Sequence, residues 1–376
     1  METIIGAGLS AFVIYAASKW SKNDKEKIQH TFQNIGYTVG DHEPKLFKKH
    51  KSDTYTLYSY HVPYGLIDDD KLNVLEKTLN KPVSVSFAKG KLHIKVYKNN
   101  LPRRLKYNWQ PTNDWTIPIG QNHSKTMLHS FDEIPHMTIA GMTRHGKTAL
   151  LKLIFSHLIH SHPDDAEFYI IDLKGGLEFS KYEKLKQVKQ VASDVSEAQD
   201  TILDVLKSIE GDYTYFRQNG YTNILDTNIS KRKFIIVDEG AQLVPPSHLD
   251  KDEKKPYKYC QYALSEIARI SGALGYRLIF ATQYPTSDTL PREIKQNADA
   301  KITFRLPTEV ASRVAIDEQG AEDIEQVGRA IYRSTHKETL QVPYVSDNEI
   351  LERLSDYVST TGAQTGERRT NTIEIG

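Results

Sequence analysis

Residues 136–160 read HMTIAGMTRHGKTALLKLIFSHLIH, and this stretch decides the fold. Residues 136–140 form a short apolar run that predicts a strand, and residues 147–160 carry apolar side chains at helical spacing. Between them, residues 141–148 fit the pattern G-x-x-x-x-G-K-[ST]. Gly141 and Gly146 let the backbone turn its N–H groups inward, so that they form a phosphate cradle together with Met142, Thr143, Arg144 and His145. The helix N-terminus that follows adds partial positive charge. Lys147 supplies a point charge for the β- and γ-phosphates, and the Thr148 hydroxyl is a ligand for Mg²⁺. The ligands implied are ATP and Mg²⁺.

Two further strand ends point to the same chemistry. Residues 233–240 read KFIIVDEG. A strand buried on both faces should not run into two adjacent acids without a task for them. Asp238 is read as the carboxylate of the Mg²⁺ shell, and Glu239 as the base that orients and polarises the attacking water. Residues 277–285 read RLIFATQYP. Ligands of parallel sheets sit beyond the carboxyl ends of the strands, which places Gln283 to sense the γ-phosphate or hold the water.

Elsewhere from about residue 126, strands are expected at 168–172, 234–238, 277–282 and 301–306, and helices at 196–216 and 257–271. That alternation predicts an α/β fold with a mostly parallel sheet covered on both faces. Upstream, residues 53–109 read as a small α+β domain: β-prone runs at 55–60, 83–87 and 92–97, and a helical stretch at 70–79. Residues 101–125 read as a connector, 110–350 as the ATPase domain and 351–376 as a polar tail.

The chain has 376 residues, 26% of them charged, and a net charge of +1. No global basic field announces nucleic acid, so any contact with it must come from local patches. A single cysteine, Cys260, excludes an internal disulfide framework and fits a reducing compartment. Residues 3–17 are uncharged and precede Trp20 and a run of lysines. They are read, within residues 1–20, as a short apolar helix that anchors the chain at the cytoplasmic side of the bacterial cell membrane. Residues 21–52 read as a basic linker with Lys45, Lys48, Lys49 and Lys51 at its end.

The ordered segments resemble the motor domain of the FtsK/SpoIIIE DNA translocases over residues 110–345. The similar pieces are WTIPIG (115–120), IPHMTIAGMTRHGKT (134–148), IIDLKGGLEFSKY (170–182) with its Asp-x-Lys, and residues 193–224. FIIVDEGAQL (234–243), LGYRLIFATQYP (274–285), IKQNADAKITFRL (294–306), ASRVAIDEQGAE (311–322) and VGRAIY (327–332) complete the series. The resemblance implies a RecA-like fold, a hexameric ring, ATP hydrolysis between subunits and DNA in the central pore. It also implies that Arg313 acts on a neighbouring subunit's nucleotide as an arginine finger, with Arg305 and Arg329 as rivals. None of these segments corresponds to the family's winged-helix DNA reader, so sequence-directed polarity is not expected. The small domain with its LPRRLKY end (101–107) is similar to FtsK-type coupling proteins of Gram-positive conjugative elements. The expected function is therefore an ATP-dependent DNA pump or coupling protein of conjugative or plasmid transfer, partnered by DNA and other transfer-machinery proteins.

Viral DNA packaging and transport of proteins by a secretion system stay open as alternatives, as does the strandedness of the DNA. Candidate DNA contacts are the loop at Lys174, Gly175 and Gly176 and the lysines Lys251, Lys254, Lys255 and Lys258. His157, His160 and His162 share a helix end, but no carboxylate at ligand spacing completes a metal site, which favours a satisfied or solvent-facing set.

Overall fold

The computed structural model describes residues 23–66 and 69–359. The apolar stretch 3–17 and residues 360–376 lie outside the described residues. The chain divides into two compact units, the first ending at Leu101 and the second beginning at Pro102.

The first unit is an antiparallel sheet with helices on one face. Its strands are β1 (Lys45–Lys51), β2 (Tyr55–His61), β3 (Val83–Ala88) and β4 (Lys91–Tyr97), in the order β1-β2-β4-β3. Tyr58, Tyr60, Leu92, Ile94 and Val96 pack with Ile28 and Phe32 of helix Asp24–Asn34 and with Leu75 and Leu79 of helix Val74–Leu79. Most of the stretch read as a basic linker, residues 21–52, is instead part of this unit, as a helix and an edge strand. Asn23 caps the first helix by accepting from the Glu26 N–H, and β1 pairs along its length with β2. The helix buries only Ile28, Thr31 and Phe32, and β1 is an edge strand rich in lysine, so average polarity hid both.

The second unit is built on one ten-stranded sheet. Its strands are β5 (Thr116–Gln121), β6 (Thr126–Ser130), β7 (Met137–Ala140), β8 (Ala166–Ile171), β9 (Val188–Ala192), β10 (Arg232–Val237), β11 (Tyr276–Thr282), β12 (Ala300–Thr303), β13 (Arg329–Arg333) and β14 (Lys337–Gln341). The order is β6-β5-β14-β13-β12-β7-β11-β10-β8-β9. From β12 to β9 every pairing is parallel, and the four strands beyond β12 extend the sheet antiparallel. Strand β5 falls within the stretch read as a connector. Its alternating burial is interrupted by a bulge at Pro118 and Gly120, which weakens the pattern in the sequence.

Successive residues of the central strands face opposite layers. Phe234 and Ile236 pack with Phe155 and Leu158 of helix Lys147–Ser161, whereas Ile235 and Val237 pack with Ile202 and Val205 of helix Val195–Asn219 and Leu264 of helix Lys255–Ile270. Each of these fully buried side chains stabilises the fold by roughly 1.5–3 kcal/mol. The double cover explains the continuous apolar runs of β10 and β11.

The described end of the stretch read as a polar tail is tied to this unit. Leu354 is buried after helix Asp347–Arg353, and the Tyr357 carbonyl accepts from the Lys186 N–H at 3.1 Å. A few well-placed apolar side chains hold a segment whose mean composition is polar.

Candidate nucleotide site

The strand order puts the site together. Strand β11 lies between β7, which leads into residues 141–148, and β10, which ends at Val237. The carboxyl ends of all three strands therefore meet at one edge.

Residues 141–148 wrap into a loop between β7 and its helix. Gly146 has φ +120° and caps the helix, and Arg144 takes a left-handed φ of +66°. A second constraint comes from Phe304, just beyond β12: a Cβ on Gly146 would stand 2.9 Å from its ring. The loop is held from outside as well. The Met142 N–H donates to the Arg305 carbonyl at 2.9 Å, and the Gly328 N–H donates to the His145 carbonyl at 3.0 Å. Thr143 and Arg144 are exposed. His145 is half-buried, and burial together with nearby Arg305 pushes its pKa down.

Lys147, Asp238 and Glu239 are all buried. Lys147 Nζ donates to the Asp238 carbonyl and, at 3.0 Å, to Asp238 Oδ1, and lies 3.9 Å from Glu239 Oε2. Thr148 Oγ1 donates to the same Oδ1 at 3.4 Å. The other side of the carboxylate pair is covered by Lys174, whose Nζ is 3.2 Å from Asp238 Oδ2 and 3.4 Å from Glu239 Oε2. Burial alone would raise the Asp238 pKa, but the two ammonium groups more than offset it and hold the carboxyl below its ordinary range. Lys174 shows the converse: burial would lower it, and the two acids raise it above the usual lysine value. Asp172, one residue past β8, is raised by burial and by the Asp238 charge, against the Glu178 and Phe179 N–H groups that donate to its Oδ2.

Glu239 is oriented by β11. Its Oε1 accepts from Thr282 Oγ1 at 3.1 Å and from the Gln283 N–H at 2.9 Å. The Gln283 side chain turns the other way, its Oε1 3.5 Å from Thr143 Oγ1. The structure thus brings together Lys147, Thr148, Asp238, Glu239 and Gln283 from three separate stretches.

Arg313 stands apart on helix Glu309–Ile316, exposed and paired with Glu309 at 2.7 Å. Its rival Arg329 donates to Gln341 at 3.1 Å and to the Pro102 carbonyl at 3.2 Å. His157 bonds Tyr107 and Thr112, and His162 bonds the Asp114 carbonyl. Among the described residues no group of acids, histidines or cysteines forms a metal cluster.

Sequence reasoning did not find Lys174 and Thr282 as parts of this site. Lys174 reads in the sequence as one candidate DNA contact, yet its side chain turns inward onto two buried acids. The pattern Asp-x-Lys after β8 was the available signal. Thr282, directly before Gln283, was legible only as the end of an apolar strand.

A strand–loop–helix phosphate cradle beside a buried acid pair, at the carboxyl edge of a parallel sheet, defines a P-loop ATPase. The FtsK/SpoIIIE family profile matches residues 103–330, and the chain belongs to that family. The DNA translocase FtsK of Chlorobaculum tepidum is 27% identical over 300 residues, covering 73% of this chain and 34% of the relative. That of Bacillus anthracis is 25% identical, over 88% and 44% respectively. The chain spans about a third of the length of the first of these relatives. Among solved structures, the pCW3 conjugation coupling protein TcpA, in a monomer form with ATPgS, has a TM-score of 0.65 at 22% identity, covering 88% of this chain and 99% of that one. The cytoplasmic domain of the type VII secretion ATPase EccC of Thermomonospora curvata has a TM-score of 0.55 at 20% identity, over 69% and 33%. These likenesses are likenesses of fold. No helix among the described residues is long and apolar enough to cross a membrane.

Proposed function

We propose that this chain is an ATP-dependent DNA translocase that acts as a coupling protein in conjugative or plasmid transfer, working as a hexameric ring at the cytoplasmic face of the cell membrane. The observation that carries the enzymatic half is the held Glu239. A buried carboxylate fixed by Thr282 Oγ1 and the Gln283 N–H, beside Lys147, is a positioned base rather than a solvated acid. A scaffold that only bound nucleotide would have no use for it. The coupling role is supported by family membership and by the correspondence with TcpA over nearly that protein's whole length.

In this reading residues 141–146 wrap the triphosphate, and Gly141 and Gly146 let the loop turn while packed close on Phe304. Lys147 turns from Asp238 to the β- and γ-phosphates. Thr148 and Asp238, whose oxygens already converge, are a donor set suited to Mg²⁺, which would neutralise charge on the phosphates. Glu239 takes the proton of the attacking water, and Gln283, within reach of Thr143, reports the γ-phosphate. Arg313, exposed and held only by a surface glutamate, is placed to serve a neighbouring subunit's nucleotide.

The test is the ATPase rate of the chain from about residue 21 onward, without nucleic acid and with duplex DNA, single-stranded DNA or RNA, using Glu239→Gln as background. Stimulation by DNA supports the motor reading, and the better stimulating form identifies the substrate strand. The likeness to EccC favours one second reading, an ATPase that moves proteins. ATP turnover indifferent to every nucleic acid would overturn the DNA motor in favour of it. For Arg313, Arg313→Ala subunits are mixed with Lys147→Ala subunits. Mixed rings that recover no activity would remove the case for action in trans.

A further inference from the structure

The first unit presents one sheet face to its helices and leaves the other open. The register settles which side chains share the open face. Leu92, Ile94 and Val96 of β4 are buried against the helices, so Lys91, His93, Lys95 and Tyr97 point the other way. Their cross-strand partners on β2 are His61, Ser59, Leu57 and Tyr55, and on β3 Ala88, Ser86 and Ser84. On β1 a bulge between Leu46 and Lys48 brings Phe47 onto the same side, where its ring lies against His61 at 4.3 Å.

Three properties of this face stand out together. First, the face carries Lys45, Lys48, Lys91 and Lys95 with His50, His61 and His93, and none of the four strands contains an aspartate or glutamate. Second, cations and rings alternate. Lys91 Nζ sits 4.6 Å over Phe47 and Lys95 Nζ 5.4 Å over Tyr55, and Tyr55 meets Tyr97 edge to face at 6.2 Å. Third, the face is grooved rather than flat. A hollow of about 490 Å³ runs between Phe47, Lys48 and His50 on one wall and Lys89, Lys91 and His93 on the other. Its floor includes Leu57 and Ser59, and Ser59 Oγ is bonded to His93 Nδ1 at 2.9 Å. No acid lines it; Glu43 belongs to the adjoining hollow around His61.

A sheet face of this composition has a definite chemical complement. Aromatic rings capped by flexible lysines offer stacking surface to bases once the ammonium groups turn from the rings to phosphates. Lysines between them meet phosphates, and serines and histidines supply hydrogen bonds to base edges. Duplex DNA exposes no base faces for stacking, so the complement is a single strand. A four-stranded sheet carrying exposed aromatics holds about two or three unstacked bases this way. An anionic membrane would be met more naturally by an amphipathic helix or a projecting basic segment than by rings lying on a sheet face under their own lysines.

We propose that the open face of β1–β4 is a second nucleic-acid site, separate from the ATPase site, that binds single-stranded DNA by stacking on Phe47, Tyr55 and Tyr97 and by contacts from Lys48, Lys91 and Lys95 to phosphate. It requires no nucleotide, and it stands or falls independently of the motor reading.

The experiment uses the full chain without nucleotide. Binding of fluorescein-labelled (dT)20 is followed by anisotropy across a salt series. The variant is Phe47→Ala/Lys48→Ser/Lys91→Ser, whose positions lie on the exposed side of the sheet. A (dT)20 carrying 5-iododeoxyuridine locates contacts by photocrosslinking. The expected result is a loss of affinity of tenfold or more, a log–log salt slope smaller by about 1.4 for two lost phosphate contacts, and crosslinks at Phe47, Tyr55 or Tyr97 in the parent chain. Basal ATPase without nucleic acid should not change, which separates this site from the motor. Unchanged affinity and slope, with crosslinks confined to the second unit, would overturn the proposal. So would a variant that keeps (dT)20 but loses phosphatidylglycerol vesicles, an outcome that would assign the face to lipid.

Discussion

Lys174 offers the sharpest test of how the acid pair is kept buried. Its ammonium lies 3.2 Å from Asp238 and 3.4 Å from Glu239, while Lys147 is 3.0 Å from Asp238. At an effective dielectric of about 20, each of the Lys174 contacts is worth roughly 5 kcal/mol of gross attraction. Much of that is offset by the cost of desolvating Lys174, which is still 29% exposed. Removing one partner of a buried pair costs about 3–5 kcal/mol. Here a second ammonium remains, so Lys174→Met, which keeps the apolar stem, should cost about 2 kcal/mol. For a unit of this size that lowers the melting temperature by about 4–8 °C. Thermal unfolding read by dye fluorescence measures it directly. Repeated with Mg²⁺ and a non-hydrolysable ATP analogue, the deficit should fall by more than half, because a divalent cation then supplies the charge that the lysine gave. A shift below about 1 °C, or the same deficit with and without the nucleotide, would refute the argument that Lys174 is the counter-charge of this site.

Thr282→Val keeps shape but removes one of the two donors to Glu239, at 3.1 Å. It should lower kcat by roughly tenfold, about 1.4 kcal/mol, with little change in KM for ATP; steady-state kinetics decide. In Gly240→Ala the new Cβ would stand 2.1 Å from the ring of buried Phe280. A loss of about 1–3 kcal/mol is expected, and Phe280→Leu in the same chain should recover part of it on denaturant titration. Burial pushes His129 and His136 down to about 3 and His157 to about 4, from 6.5. The unfolded chain therefore takes up these protons first. Stability is full above pH 6.5 and lost as pH falls toward 4, by up to about 1.4 kcal/mol per pH unit for each histidine. His157→Gln should flatten the measured dependence between about pH 6.5 and 4.

The sequence by itself determined the central architecture and the outline of the site. The loop at residues 141–148, the acids at 238 and 239 and the glutamine at 283 were legible because each follows an apolar strand. Patterns of that kind are local, and burial on both faces makes them uninterrupted. The antiparallel extension β5, β6, β13 and β14 was not legible as part of the same sheet, because pairing between distant strands leaves no local periodicity. Helix Asp24–Asn34 and strand β1 were read as linker for the opposite reason: the helix buries only three side chains, and β1 packs only Leu46 on the core, both beneath many charges. Lys174 is the clearest case of what only the tertiary structure decided. In the chain it is a lysine beside two glycines, fit for a mobile cationic loop. Its role follows from strand order alone, since β8 lies beside β10 and carries the loop to the two buried acids at that strand's end. The open face of the first unit is similar. Its lysines and aromatics were visible one by one, but only the register β1-β2-β4-β3 gathers them on one side and leaves the acids elsewhere. Local sequence specifies which strands and turns form. The side chains that meet across them are set by pairing, because a change of one residue in register would send every one of them to the other face.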